Sequence, residues 1–231
     1  MSVLIANRKA VFILTGSSIV IMAIIAGVVV GGYFQPMTSL SANELFYSLQ
    51  NNSSGFRWGI FGWVSILICD LIAAWGLMEV FKPKFQSWAV LTGWLRFLYA
   101  AILAIAIACL ILIVPIVEST EMILTNADEL TAILFKGYLN LWSFGLLIIG
   151  FHLIGVGVLA YLEKQTKKWL SILVMLAGVG YVVSNLMQLV MPNYAEIKPI
   201  VEGVFMLPMI VGEVGFGVWL MVRGIKNISL D

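Results

Sequence analysis

The 231-residue sequence predicts an all-α polytopic membrane bundle of six transmembrane helices with both termini in the cytoplasm, and three observations point there. Hydrophobic residues make up 61% of the chain and charged residues only 11%. A water-soluble domain carries about 25% charged residues because its surface faces water, so lipid must solvate much of this one. The apolar residues gather into six runs, each long enough to cross a hydrocarbon core of about 30 Å. Finally, the lysines and arginines crowd into alternate connections between those runs.

The first run, 10–34, follows the basic pair Arg8-Lys9. A secretory signal also opens on basic residues, but its apolar core is only about 7–15 residues long, so this run is expected to remain as a helix. The other runs cover 56–81, 88–117, 136–162, 169–191 and 199–222. The connections between them are too short to form a separate soluble unit, so 1–231 is expected to be one six-helix domain.

Basic residues in short loops stay on the cytoplasmic side. Arg8 and Lys9 precede the first run, Lys82 and Lys84 lie between the second and third, Lys164, Lys167 and Lys168 between the fourth and fifth, and Arg223 and Lys226 after the sixth. The intervening connections are basic-poor: 35–55 holds Glu44 and no Lys or Arg, and 118–135 carries Glu118, Glu121, Asp128 and Glu129. Trp88 and Trp169 stand at the expected cytoplasmic entrances of their runs, where indole rings anchor at the interface. The segments 38–54 and 118–134 are mildly amphipathic, which fits either a short helix on the outer membrane surface or an ordered loop.

Several function classes lack their residues. Cys69 and Cys109 both fall inside apolar runs, where thiols behave as small hydrophobes. His152 is the single histidine, which argues against a multi-histidine metal site or bis-histidine haem. No metal or cofactor is expected. The net charge of +1 provides no basic surface for nucleic acid. Phosphate-binding glycine loops, the zinc-protease helix, the hydrolase nucleophile elbow and the dinucleotide fingerprint are all missing.

Chemistry is therefore sought among polar residues that lipid would reject. An ionisable group inside a span costs about 2.5–3.5 kcal/mol on insertion scales, so it normally faces the bundle interior. Asp70, Arg96, His152 and Glu213 are four such groups on four different runs. At about 1.5 Å per residue, counted from the cytoplasmic ends, they lie within roughly 5 Å of one another in depth. With His152 neutral the four sum to −1, and one proton on a carboxylate–histidine unit brings the total to zero. The cluster is expected either to handle a proton or ligand, or merely to tie helices together.

A second pattern lies toward the outer side. Gly178, Tyr181, Asn185 and Gln188 share one face of the fifth run. Glu202, Met206, Met209 and Glu213 share one face of the sixth, with Pro208 between the two acids. Tyr181, Asn185, Gln188, Met206 and Met209 are expected to line a cavity in the outer half, with His152 at its floor. Helix–helix hydrogen bonding without a cavity is the alternative. Arg96, Ala100, Ala104 and Ala108 are expected to form a packing ridge, and Gly150, Gly155 and Gly157 to lighten the fourth run.

Laid out in order, Leu95-Arg96, Gly150-Phe151-His152-Leu153, Gly178-Val179-Gly180-Tyr181, Pro192-Asn193-Tyr194 and Pro208 through Gly212-Glu213 to Trp219 resemble the bacterial integral membrane family catalogued as domain of unknown function 4386. The resemblance implies six helices in a bacterial cytoplasmic membrane and brings no activity with it. Three functions remain open: binding of a small solute or amphiphile in a proton-linked carrier or sensor, intramembrane catalysis on a lipid or isoprenoid, and an accessory, immunity or regulatory subunit with a structural polar core. The expected partners are the lipid bilayer and a small amphiphilic ligand.

Overall fold

A computed structural model describes residues 8–119, 126–164 and 166–226, with the side chains of Ala195 and Glu202 left aside. Among these residues the chain is entirely helical, without strands. The elements are α1 (Arg8–Ala26), continued by a π-helical segment (Gly27–Phe34) and a 3-10 turn (Gln35–Ser39), then α2 (Ala42–Asn51), α3 (Ser53–Glu118), α4 (Ala127–Leu162), α5 (Lys168–Val190) and α6 (Tyr194–Ile225). Among the described residues, five stretches are long and apolar enough to cross a membrane: Arg8–Ser39, Ser53–Glu118, Ala127–Leu162, Lys168–Val190 and Gly203–Ile225.

Six apolar runs were expected, and α3 holds two of them, 56–81 and 88–117. A straight helix of 66 residues would reach about 100 Å, more than three times the thickness of a hydrocarbon core. Instead α3 breaks at Phe85, where φ −134° and ψ 52° leave the helical region. Proline lacks the N–H of the helical ladder and clashes with the preceding turn, so Pro83 weakens the helix just before the break. The arms fold back on each other: Gly93 in the second faces Met78 in the first, and Glu118 pairs with Arg57, 61 residues earlier.

The amphipathic segment 38–54 contains a true helix, α2. Ser41 caps it by accepting from the Glu44 backbone N–H, and the Glu44 carboxylate accepts in return from the Ser41 N–H at 2.9 Å. The backbone and hydroxyl bonds from Ser41 hold the Glu44 carboxyl below the usual carboxylate range, so this cap weakens as pH falls through that lowered value. Leu45 and Leu49 are buried, and α2 packs on α3 and α4. Of the second such segment, 120–125 lies outside the described residues. Its remainder enters α4, which starts at Ala127, well before Lys136, behind a left-handed Asn126 (φ 72°). Asp128 and Glu129 in its first turn suit the positive end of the helix dipole.

The helices close a ring in which α1 touches α3, α3 touches α4, α4 touches α5, α5 touches α6, and α6 returns to α1. Glycine permits two of the closest approaches. A Cβ on Gly178 would stand 2.6 Å from the Gly150 carbonyl, and one on Gly16 would stand 2.4 Å from the Gly217 carbonyl. The fourth-run glycines do admit neighbours, with Gly155 against Thr92 and Gly157 against Met175. The expected alanine ridge does not hold. Ala100 is buried, but Ala104 and Ala108 are exposed, because each step of four residues rotates a further 40° or so around the helix. Leu103, Ala106, Ile107 and Leu110 take the buried face instead.

Candidate functional site

Two apolar cores fill the ring. One includes Ala73, Leu77, Ala89, Leu153, Val156 and Phe216; the other includes Ile66, Trp63, Tyr99, Leu103 and Ile149. Asp70, Arg96 and His152 fall between them in sequence on α3, α3 and α4, so the polar residues form a layer between two oily ones. Tyr181 packs against both cores and thus marks the same level on α5.

Arg96 is the centre. It is 2% exposed, Asp70 is 1% and His152 is 0%. Its Nε donates to Asp70 Oδ1 at 3.0 Å and its Nη2 donates to the same oxygen at 2.6 Å. Asp70 Oδ2 is buried without a hydrogen-bond partner among the described residues. Nη2 also approaches Met22 Sδ of α1 at 3.6 Å. Nη1 meets His152 Nε2 at 3.3 Å, and His152 Nδ1 lies 2.7 Å from the Thr92 carbonyl oxygen. A guanidinium only donates and a carbonyl only accepts. Those two contacts therefore assign His152 as the neutral imidazole with its proton on Nδ1 and a lone pair on Nε2. Both ring nitrogens are engaged.

Local sequence explains how the histidine reaches that carbonyl. Thr92 lies one turn before Arg96 and covers Gly155, one turn after His152. A Cβ on Gly155 would stand 2.4 Å from the Thr92 methyl group. Bare backbone at Gly155 thus lets α4 lie against α3 at the depth where His152 must bond. Gly155→Ala should weaken that bond, and the His152 imidazole NMR signals would report it by a shift in their nitrogen resonances.

The fourth ionisable residue stands apart. Glu213 on α6 is half-buried, whereas the other three are sealed. Its carboxylate lies close enough to the Tyr181 hydroxyl, Arg96 and Asp70 to interact with each electrostatically. Tyr99, one turn beyond Arg96, lies close enough to Tyr181, Asp70 and Arg96 to interact with them electrostatically. Sequence reading missed Tyr99 and Thr92. A tyrosine three residues after a buried arginine, on the same helix face, was the available signal for the first. The second contributes a backbone carbonyl, which leaves no side-chain signature.

The residues expected to line an outer cavity are distributed differently. Asn185 is buried, accepts from Ser143 Oγ of α4 at 2.9 Å and donates to the Tyr181 carbonyl at 2.8 Å, so it ties α5 to α4. Tyr181 and Met209 pack against the apolar core, while Gln188 is exposed and Met206 is 58% exposed. Gly178 is a helix contact point rather than part of a polar lining.

The tight contacts between α1 and α6 sit at Gly16 with Gly217 and at Ile13 with Gly224. Farther along, the π-helical segment packs on α3, and a Cβ on Gly27, Gly31 or Gly203 would meet nothing within 4 Å. A π-helical turn flanked by glycines is a soft element, because glycine and β-branched valine both disfavour the regular α-helix.

The family model described as "Domain of unknown function (DUF4386)" matches residues 14–224. An "Uncharacterized protein" of Archaeoglobus fulgidus is 27% identical over 169 residues, covering 73% of this chain and 85% of that one, so similar chains also occur in an archaeon. No solved structure matches. The family match spans every helix that carries a residue of the polar layer, and the chain belongs to the DUF4386 family.

Proposed function

We propose that this chain crosses the membrane six times with both termini in the cytoplasm, and that it binds the polar head of a small amphiphile at Glu213 and Tyr181. The fold-back of α3 at Phe85 and the alternation of basic loops support the crossing number and the orientation. Cysteine labelling should then reach positions 54 and 126 from outside and 84, 167 and 226 from inside. Labelling of any two from the opposite face would overturn the topology.

The exposure of Glu213 carries the binding reading. Three of the four ionisable groups are locked together and inaccessible, and the fourth belongs to a residue that is only half-buried. The open space beside Gly27, Gly31 and Gly203 offers the approach for an apolar tail, with exposed Met206 on α6 as an adaptable surface. A half-buried acid beside a phenol prefers a head that donates, such as an ammonium. Asp70, Arg96 and His152 form the rigid floor. In this arrangement any acid–base role falls to Glu213, because both His152 nitrogens are engaged.

A photoactivatable dodecylammonium probe tests this. It should label α5 or α6 in the wild type, and Glu213→Gln should reduce labelling about tenfold, the loss of one charge-assisted hydrogen bond. Tyr181→Phe should give a smaller loss. Equal labelling of wild type and of both folded variants would overturn the reading. It would favour the purely structural role, for which the Ser143–Asn185 bond between α4 and α5 speaks.

A further inference from the structure

The end of the α3 hairpin farthest from Phe85 carries a groove unrelated to the polar layer. Its volume is about 480 Å³, within the range of small-molecule sites. Ile60 and Phe61 form one wall and Ile111, Val114 and Pro115 the other, with Arg57 and Glu118 at the mouth. The spacings of three and four residues from Arg57 to Ile60 and Phe61, and again from Ile111 to Val114 and Pro115, set one continuous face of each arm into the groove. Both walls are apolar.

The mouth holds two opposite charges. Arg57 Nε donates to Glu118 Oε1 at 2.8 Å and Nη2 to Oε2 at 2.5 Å, while the side chains remain 58% and 31% exposed. The fork uses Nε and Nη2 of Arg57, which leaves Nη1 and the second lone pairs of the Glu118 oxygens on two exposed side chains for a third group. Pro115 adds a further feature. It has no N–H to give the Ile111 carbonyl, which leaves that acceptor without its usual helical donor on a groove-lining residue.

We propose that this groove binds one phospholipid whose head carries both a phosphate and an ammonium. The Arg57 guanidinium takes the phosphate, the Glu118 carboxylate takes the ammonium, and one acyl chain lies between Phe61 and Val114. Charge complementarity selects this occupant. A purely anionic head would meet the Glu118 carboxylate without a counter-charge, and an uncharged diacylglycerol would use neither partner. The site clips the two arms of the hairpin together at their open end, where neither α2 nor a loop residue lines the groove.

Native mass spectrometry of the delipidated full chain tests this with phosphatidylethanolamine, phosphatidylglycerol and diacylglycerol added in turn. Phosphatidylethanolamine should be retained about tenfold more tightly than either of the others, the worth of one satisfied charge pair. Glu118→Gln should shift the preference toward phosphatidylglycerol, and Val114→Trp should displace the lipid by filling the groove while both head-binding residues remain. Equal retention of all three lipids by the wild type would overturn the proposal, and that measurement needs no variant. Unchanged phosphatidylethanolamine binding in folded Val114→Trp would overturn it as well.

Discussion

Arg96→Leu should lower the stability of the protein by about 3–5 kcal/mol, the usual cost of removing one partner from a buried ion pair. The reason lies in how many groups depend on that guanidinium. Asp70 Oδ1 receives two hydrogen bonds from it, and His152 Nε2 receives a third. Without it a sealed carboxylate has no counter-charge, in a layer bounded by apolar cores. Arg96→Lys should recover only part of the loss, because an ammonium is a compact point charge and cannot span Asp70 and His152 as a planar fork does. The double variant Asp70→Leu, Arg96→Leu should be more stable than Arg96→Leu alone, since apolar pairs often replace buried ion pairs without loss. Thermal unfolding in detergent checks all three, and an Arg96→Leu variant that melts with the wild type would refute the role assigned to Arg96.

Gly178→Leu should be comparably damaging for a steric reason. The α4–α5 contact brings backbone to backbone, and a Cβ at 178 would lie 2.6 Å from the Gly150 carbonyl oxygen and 2.7 Å from the Ile154 nitrogen. Neither atom belongs to a flexible side chain that could swing away, so the helices must separate. Overpacking a tight contact costs about 1–3 kcal/mol, and here the displacement also pulls Tyr181 away from Glu213, one turn beyond the contact. Gly203→Leu is the matched control. Nothing lies within 4 Å of a Cβ there, so its melting temperature should stay near the wild type. Equal melting of Gly178→Leu and Gly203→Leu would show that the α4–α5 contact is not tight.

The α3 hairpin shows how much of this was legible in the chain. Two apolar runs separated by Lys82, Pro83 and Lys84 read as two helices meeting at a basic turn, and the arms do fold back there. The break itself is a single non-helical residue, Phe85, so the two runs form one element with hardly any loop. Sequence could not anticipate that, because the break depends on how the arms pack and not on a run of turn-forming residues. The short helix α2 was legible as an amphipathic stretch, and its capping box of Ser41 and Glu44 settles helix over loop.

The polar layer divides in the same way. Counting along apolar runs predicts one depth for Asp70, Arg96, His152 and Glu213, because a helix rises by a constant step, and the first three do meet in the structure. Depth says nothing about azimuth. Which groups touch depends on how each helix is rotated about its axis, and that rotation is set by contacts such as Gly155 on Thr92 and Gly178 on Gly150. Only the tertiary structure could therefore seal Asp70, Arg96 and His152 against one another, fix the histidine proton on Nδ1 through a backbone carbonyl, and leave Glu213 partly open beside Tyr181. The sequence by itself determined a membrane-embedded helical chain and the charges it must bury, since composition and hydrophobic period act locally along the chain. Which of those charges are locked and which stay accessible was decided by side chains meeting across helices distant in sequence.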